Sequence, residues 1–438
     1  MEKFLFKHID NSPLVVFRII FGLLLFLESI GAIFTGWVTR TLVEPKFTFN
    51  FIGFDFLQPL PGNGMYYYYI IMGIFGFCVM IGYRYRIAML SFFLMWSATY
   101  LMQKSSYNNH YYLTALLSFL MIFQPANNYL SVDVKLNPSL KSISVPYWTS
   151  LILIVQIGLV YFFGGIAKIY PDWLNAIPAK IFLSSKTSYP VVGELFNTNW
   201  FPYILSYGGL LFDLLIIPLL LFKRTRVFGF CLSLFFHLFN AIIFQVGIFP
   251  FLSLAFALFF FEPKIIHRIF LKKKLYYLES EVKIPKTKNV FVLFLGLYFL
   301  IQLVLPLRHW AIKENVLWTE EGHRLSWRMM LRSKSGHQNF TVVDKKTNQK
   351  ESVWLNNYLT KKQQRVISTK PDMIWQFSQR LKKEYAKRGK DIAVYVSGKV
   401  NVNGKSYQPL VNDTIDIASI KWDPFKHSKW LLSNKKTP

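Results

Sequence analysis

Lys104-Ser105-Ser106-Tyr107-Asn108-Asn109-His110-Tyr111-Tyr112-Leu113 is a polar run set between two apolar blocks, at 87–102 and 109–124, and that juxtaposition decides the fold class. Apolar stretches approaching the ~20 residues that a helix needs to cross hydrocarbon mark membrane spans when they recur along a chain. A lysine, two amides and an imidazole are expensive in such surroundings, so their presence at a block boundary points to chemistry at a membrane face.

Hydropathy marks about nine blocks in all, near residues 13–34, 65–82, 87–102, 109–124, 148–167, 204–222, 226–246, 248–262 and 289–307. The fourth is short for a full span and is expected to tilt or to be buried within the bundle. Composition agrees: 438 residues are 53% hydrophobic and 18% aromatic, with mean hydropathy +0.30. The net charge of +27 would suggest nucleic acid in a soluble chain. Here the basic residues sit in short loops between blocks, where they report orientation, and no nucleic-acid role is expected. Lys3, Lys7, Arg84, Arg86, Lys135, Lys141, Lys223, Arg224, Arg226 and the lysines of 264–288 all fall on one side of a nine-span chain. The N-terminus is then cytoplasmic in a cell membrane, and the polar run and residues 308–438 lie outside. Cys78 and Cys231 both fall inside apolar blocks and read as packed thiols, not a disulfide framework. The first block lacks the small-residue cleavage pattern of a signal peptide.

After Leu307 the composition changes. Alternating stretches within 338–356 and 393–418 read as strands, with Asn403-Gly404 as a hairpin turn. Between them Ile374, Phe377, Leu381 and Tyr385 recur at helical spacing. The expected architecture is a polytopic α-helical membrane bundle over residues 1–307, followed by a small α/β extracytoplasmic domain over 308–438.

Lys104 reads either as a lysine reaching for headgroups or as a buried base with a lowered pKa. Asn108, Asn109 and His110 offer an N-cap for the fourth block, but more donors than a cap needs. His237 and Asn240, three apart inside the seventh block, share a helix face, as an interhelical strut or as a cavity wall. Gly164 and Gly165 suit close helix packing, and Trp173 suits an interfacial anchor near Lys168 and Asp172. No His/Cys/carboxylate set has metal-ligand spacing, no Gly-x-Ser-x-Gly elbow occurs, and neither cysteine has an electropositive setting.

The polar run resembles the Lys-Thr-Ser-Trp-Asn-Asn-His-x-Tyr-Leu motif of vitamin K-dependent γ-glutamyl carboxylases, in a bacterial form with an HTTM-type membrane domain. The resemblance continues in order through Leu60-Pro61, Asn128 to Asp133, Gln156, Tyr161-Phe162, Gly165 to Lys168, Asp172-Trp173, Gly208 to Leu214, Phe236-His237, Asn240 and Gly247 to Phe249. It closes with Leu305-Pro306, His309, Ser326 to Met330 and Trp422 to Phe425. Tyr107 stands where the family has tryptophan and Gln103 where it has an acidic residue. The long lumenal tail and bridging cysteines of the animal enzymes have no counterpart.

The resemblance implies an enzyme using reduced vitamin K, dioxygen and carbon dioxide, with no metal. In the family's mechanism the quinol is deprotonated with help from Lys104 and reacts with dioxygen; a glutamate γ-proton is removed, and carbon dioxide adds as quinone epoxide forms. It casts Lys104, His110 and His237 as catalytic and Asn108, Asn109, Asn240, His309 and Trp327 as cofactor-binding, the last two by closing the cavity from above or by shaping the glutamyl site. The implied partners are the lipid bilayer and a glutamate-containing peptide or protein. Two alternatives remain open: quinol epoxidation without carboxylation, and a transporter or channel, the latter disfavoured because the two halves lack paired broken spans.

Overall fold

The computed structural model describes residues 2–190, 192–279 and 281–434, and it divides the chain into a helical bundle capped at one end by a small mixed domain. The bundle contains α1 (Ser12–Phe34), α2 (Gly64–Ile81), α3 (Tyr85–Met102), α4 (Asn109–Ile122), α5 (Trp148–Ile166), α6 (Phe201–Leu221), α7 (Arg226–Phe239), α8 (Phe249–Ala255), α9 (Pro263–Phe270) and α10 (Lys288–Ala311). Pro13 and Pro202 stand in the first turns of α1 and α6, where a missing N–H goes unnoticed. Gly82 ends α2 at φ +67°, packed against the Arg18 guanidinium and Ser131 so closely that a Cβ would collide with both.

Nine membrane-length spans are not present. Among the described residues six helices are long and apolar enough to cross a membrane: α1, α2, α5, α6, α7 extended to Phe244, and α10. A seventh is added only if Phe249–Phe259 and Pro263–Phe270, bent by 116°, count as one span. The expectation failed because hydropathy does not register what surrounds a helix. Fourteen-residue α4 is about 21 Å long, short of a ~30 Å hydrocarbon core, and it is shielded by protein. Its Leu113, Leu117, Leu120 and Met121 are fully buried. The eighth block ends at the bend after Phe259 and is too short to span without Pro263–Phe270, and the third, α3, is 18 residues long but not apolar enough to count. Cys231 also departs from expectation: it is exposed on the outer surface of α7, while Cys78 is half-buried.

The basic loops do gather at one end. There β1 (His8–Asp10) pairs antiparallel with β2 (Ser144–Pro146), Lys274 pairs with Asp10 at 2.5 Å, Lys223 with Glu262, and Lys288 with Glu2. Arg18, fully buried, donates to the carbonyls of Ala126, Tyr129 and Leu130.

At the other end, β3 (Lys334–Asp344), β4 (Lys350–Ser352), β5 (Ile392–Val402) and β6 (Gln408–Pro409) form an antiparallel sheet in the order β4-β3-β5-β6. β3 and β5 run in register from Lys334 opposite Val402 to Asp344 opposite Ile392. Asn403 and Gly404 turn the chain after β5 with φ of 54° and 74°, as the hairpin signal requires. One helix, α11 (Lys361–Ile367), carries a capping box, and α12 (Pro371–Ala386) lays Ile374, Phe377, Leu381 and Tyr385 on the sheet. Phe49, from the loop between α1 and α2, is buried in this core, and Gln363 and Gln376 donate to the carbonyls of Phe47 and Asn50. The cap therefore contains a strip of the bundle's own chain.

Candidate functional site

Lys104 stands in a single helical turn after α3, its backbone N–H donating to Phe49 O at 2.7 Å. Only 2% of it is exposed, so its ammonium does not reach for solvent or headgroups. Nζ lies 2.8 Å from Asp372 Oδ2, and Asp372 is also paired with Arg324. Among the described residues Nζ has no hydrogen-bond acceptor apart from this carboxylate. Burial pushes the amine down to about 8 against the opposing pull of Asp372. Burial by itself would raise Asp372, yet Arg324 and Lys104 hold it well below the usual carboxylate range.

These groups line a cavity of about 170 Å³ with Phe51, Ile52, Arg308, Leu325 and Trp422. Its cover is the segment 320–332, in which Glu320, Gly322, Leu325, Trp327 and Met330 all have positive φ. Four of these five are not glycine, and such backbone persists only where the surroundings impose it. Tyr107 imposes part of it: its hydroxyl accepts from Leu325 N and donates to Asn109 Oδ1. Asn109 Nδ2 in turn donates to Arg328 O, and Trp327 stacks on Tyr112 at 4.8 Å between centroids. Arg308 Nε on the cavity wall, and His323 Nδ1 and Trp327 Nε1 in the cover, are buried without a hydrogen-bond partner among the described residues. Unpaired buried donors are rare, and a polar ligand is one of the few explanations for a cluster of them.

At the start of this cover Glu320 is ringed by Arg332, Lys370 and Lys334. Those three cations hold its carboxyl well below the ordinary range despite burial, while burial brings Lys370 down to about 8 and Lys334 to about 7.

The remaining sequence candidates divide. Asn108 accepts from Tyr111 N at 2.7 Å and serves as the N-cap of α4. His110 faces Gly247, where a Cβ would come within 3.4 Å of Nε2. His309 sits between Pro306 O, 2.7 Å from Nδ1, and the Arg328 guanidinium, 3.2 Å from Nε2. His237, completely buried in α7, shares a 2.8 Å hydrogen bond between Nε2 and the Tyr161 hydroxyl, and its Nδ1 has no partner. Asn240 does not join it: Nδ2 donates to Phe236 O, one turn back on its own helix. Lys168 is ion-paired with Asp213 beneath Trp173, and Gly164 and Gly165 admit Asp213 and Leu214 at distances a side chain would block. Asp172 holds the cap through Lys405 and Asn403.

Sequence reasoning missed Asp372, Arg324, Arg328, Glu320 and Glu28. Asp372, Arg324 and Glu320 carry no local signal, because each is one charged residue in an ordinary polar stretch, whereas Arg328 lies within the matching stretch Ser326 to Met330 and was passed over beside Trp327. Glu28 did carry one: a carboxylate inside the first apolar block is a functional candidate by default. It hydrogen-bonds Tyr111 in the wall of a small cavity lined also by Trp37, Tyr69 and Trp96.

Two families match the chain in sequence. The HTTM domain family matches residues 6–264, and the lumenal domain family of vitamin K-dependent gamma-carboxylase matches residues 287–437. No solved structure matches. The six or seven apolar helices and the sheet-bearing cap correspond to a membrane protein with an extracytoplasmic domain. With both matches in order along one polypeptide, this chain belongs to the vitamin K-dependent γ-glutamyl carboxylase family.

Proposed function

We propose that the protein couples oxygenation of reduced vitamin K to carboxylation of glutamate in a peptide or protein. The observation that carries this reading is the buried Lys104–Asp372–Arg324 group in the wall of the 170 Å³ cavity. The residues present fit a quinol: Phe51, Ile52 and Leu325 offer apolar surface to a ring, and among the described residues Lys104 has no acceptor beyond Asp372. Reduced vitamin K, with dioxygen, supplies the strong base that removes a glutamate γ-proton before carbon dioxide adds.

Lys104 Nζ accepts the proton of a quinol hydroxyl, a transfer for which an amine poised near 8 is suited. Asp372 stabilises the ammonium so formed, and Arg324 keeps Asp372 ionised so that the proton stays on Nζ. The strained 320–332 cover excludes water that would quench a strong base. Arg308 and Arg324 favour the carboxylate of the entering glutamate. Asn109 and Trp327, under or within the cover, position the quinol, while His309 lines the neighbouring cavity and braces the cover from that side through Arg328. His110 and His237 are assigned to the reaction side of the bundle, whereas Asn108 and Asn240 serve the backbone. In this reading the membrane catalytic domain is 1–307 and the extracytoplasmic domain 308–438, the latter borrowing Phe47 to Asn50. The end of the bundle bearing the basic loops is cytoplasmic.

The test supplies purified protein with reduced vitamin K, labelled bicarbonate and a glutamate-rich peptide, scoring epoxide and fixed label separately. Both products are expected. Epoxide alone selects a quinol epoxidase, and neither product rejects the enzyme.

A further inference from the structure

A second cavity, of about 520 Å³, opens beside the first. It lies where the C-terminal ends of α5 and α10 meet the segment 312–317, and its size is that of a site for a small organic molecule. Most of its wall is apolar, from Phe163, Ile166, Ile169 and Trp310 among others. Its mouth is too: Ile169 is 57% and Trp310 63% exposed, both beside helices of membrane-spanning length.

Into this apolar wall the fold sets two charged side chains, Arg328 and Glu314, which do not pair with each other. Arg328 is 8% exposed, forms no ion pair among the described residues, and leaves Nε without a hydrogen-bond partner. Its one side-chain hydrogen bond runs from Nη1 to His309, an imidazole that also lines the cavity. Neither nearby carboxylate forms an ion pair with it: Glu320 is held by Arg332, Lys370 and Lys334, and Glu314, on the same cavity wall, accepts from the Ser433 hydroxyl. A buried guanidinium without a counter-charge is unfavourable unless an anion is supplied from outside.

We infer that this cavity binds an anionic phospholipid, its phosphoryl oxygens against Arg328, which His309 orients through Nη1, and its hydrocarbon along Ile169 and Trp310. The charge selects an oxyanion over a neutral ligand such as a quinol. The apolar mouth between two spans selects a lipid over a free ion. Guanidinium matches phosphate with two parallel hydrogen bonds, the geometry that a free Nε and its neighbouring Nη provide. The site would tie the cap to the bilayer beside the proposed reaction cavity, and it stands whether or not the carboxylase reading holds.

The test uses the full chain in neutral detergent and follows thermal unfolding and native mass spectra on titration with phosphatidylglycerol, phosphatidylcholine or inorganic phosphate. Phosphatidylglycerol should stabilise the protein and remain bound as one molecule per chain, while phosphatidylcholine and phosphate should do so far less. Arg328→Gln should weaken phosphatidylglycerol binding about 10- to 100-fold. Trp310→Ser, on an exposed side chain that the fold does not need, should weaken it about threefold or more. An equal effect from inorganic phosphate overturns the lipid in favour of a free-anion site, and an equal effect from phosphatidylcholine overturns the role of charge. Should Arg328→Gln fail to accumulate, wild-type phosphatidylglycerol affinity in Trp310→Ser overturns the proposal by itself.

Discussion

Replacing Lys104 with arginine separates proton acceptance from positive charge. Lys104 Nζ is 2.8 Å from Asp372, a distance at which unit charges attract by about 6 kcal/mol at an effective dielectric near 20, before desolvation is counted. Burial outweighs this attraction, since the amine falls to about 8 from its ordinary 10.5. At about pH 7.5 roughly a quarter of molecules then hold a neutral amine. Guanidinium keeps the attraction to Asp372 but stays protonated at any accessible pH, so the fold should survive while the base is lost. Epoxide formation should drop about 10²–10⁴-fold, on the order of 3–5 kcal/mol of transition-state stabilisation. In the wild type the rate should climb as pH rises through about 8, because the neutral amine is the active form. Lys104's contribution to stability should rise with pH over the interval from about 8 to 10.5, because there the unfolded chain binds the proton that the folded chain has released. The assay follows conversion of reduced vitamin K to epoxide across about pH 6.5 to 9.5, with thermal unfolding measured beside it. Lys104→Ala leaves Asp372 its Arg324 partner, so it should also fold, and a small primary amine should restore part of its activity. Near-wild-type epoxide formation by the arginine variant, or a wild-type rate that is flat through pH 8, would refute the base assignment.

Three further outcomes are expected. Cysteines introduced at Ser106 and Ser335 should react with an impermeant reagent from the same, non-cytoplasmic side, and one at Lys273 should not; reaction of the first two from opposite sides rejects the orientation. His237→Ala removes the partner of the Tyr161 hydroxyl and should lower stability by about 1–3 kcal/mol while reducing turnover by more than tenfold; a variant that accumulates poorly yet keeps normal specific activity makes His237 a strut. Gly322→Ala places a Cβ 2.7 Å from His309 Cβ at φ +74°, so the cover should loosen, with a lower Tm and epoxide formation falling further than the loss of folded protein explains; unchanged Tm and activity would mean that the cover is not under the strain inferred for it.

Local chemistry made much of this protein legible from its sequence. Hydropathy located α1, α5 and α10, helical spacing located α12, and Asn403-Gly404 located the turn after β5, because each signal lies within one element and its immediate neighbours. The ordered motifs around Lys104, His237, His309 and Trp327 carried the family for the same reason. The number of spans was decided only by tertiary structure: α4 is apolar because protein surrounds it, and a hydropathy window cannot distinguish protein from lipid. The partners of Lys104 were decided there too. Asp372 opens a helix of the cap and Arg324 lies in a strained connector, and nothing within either stretch marks it as facing a lysine at the end of α3. Ion pairing and desolvation depend on separation in space, and only the docking of cap onto bundle brings those charges together and buries Lys104 between them.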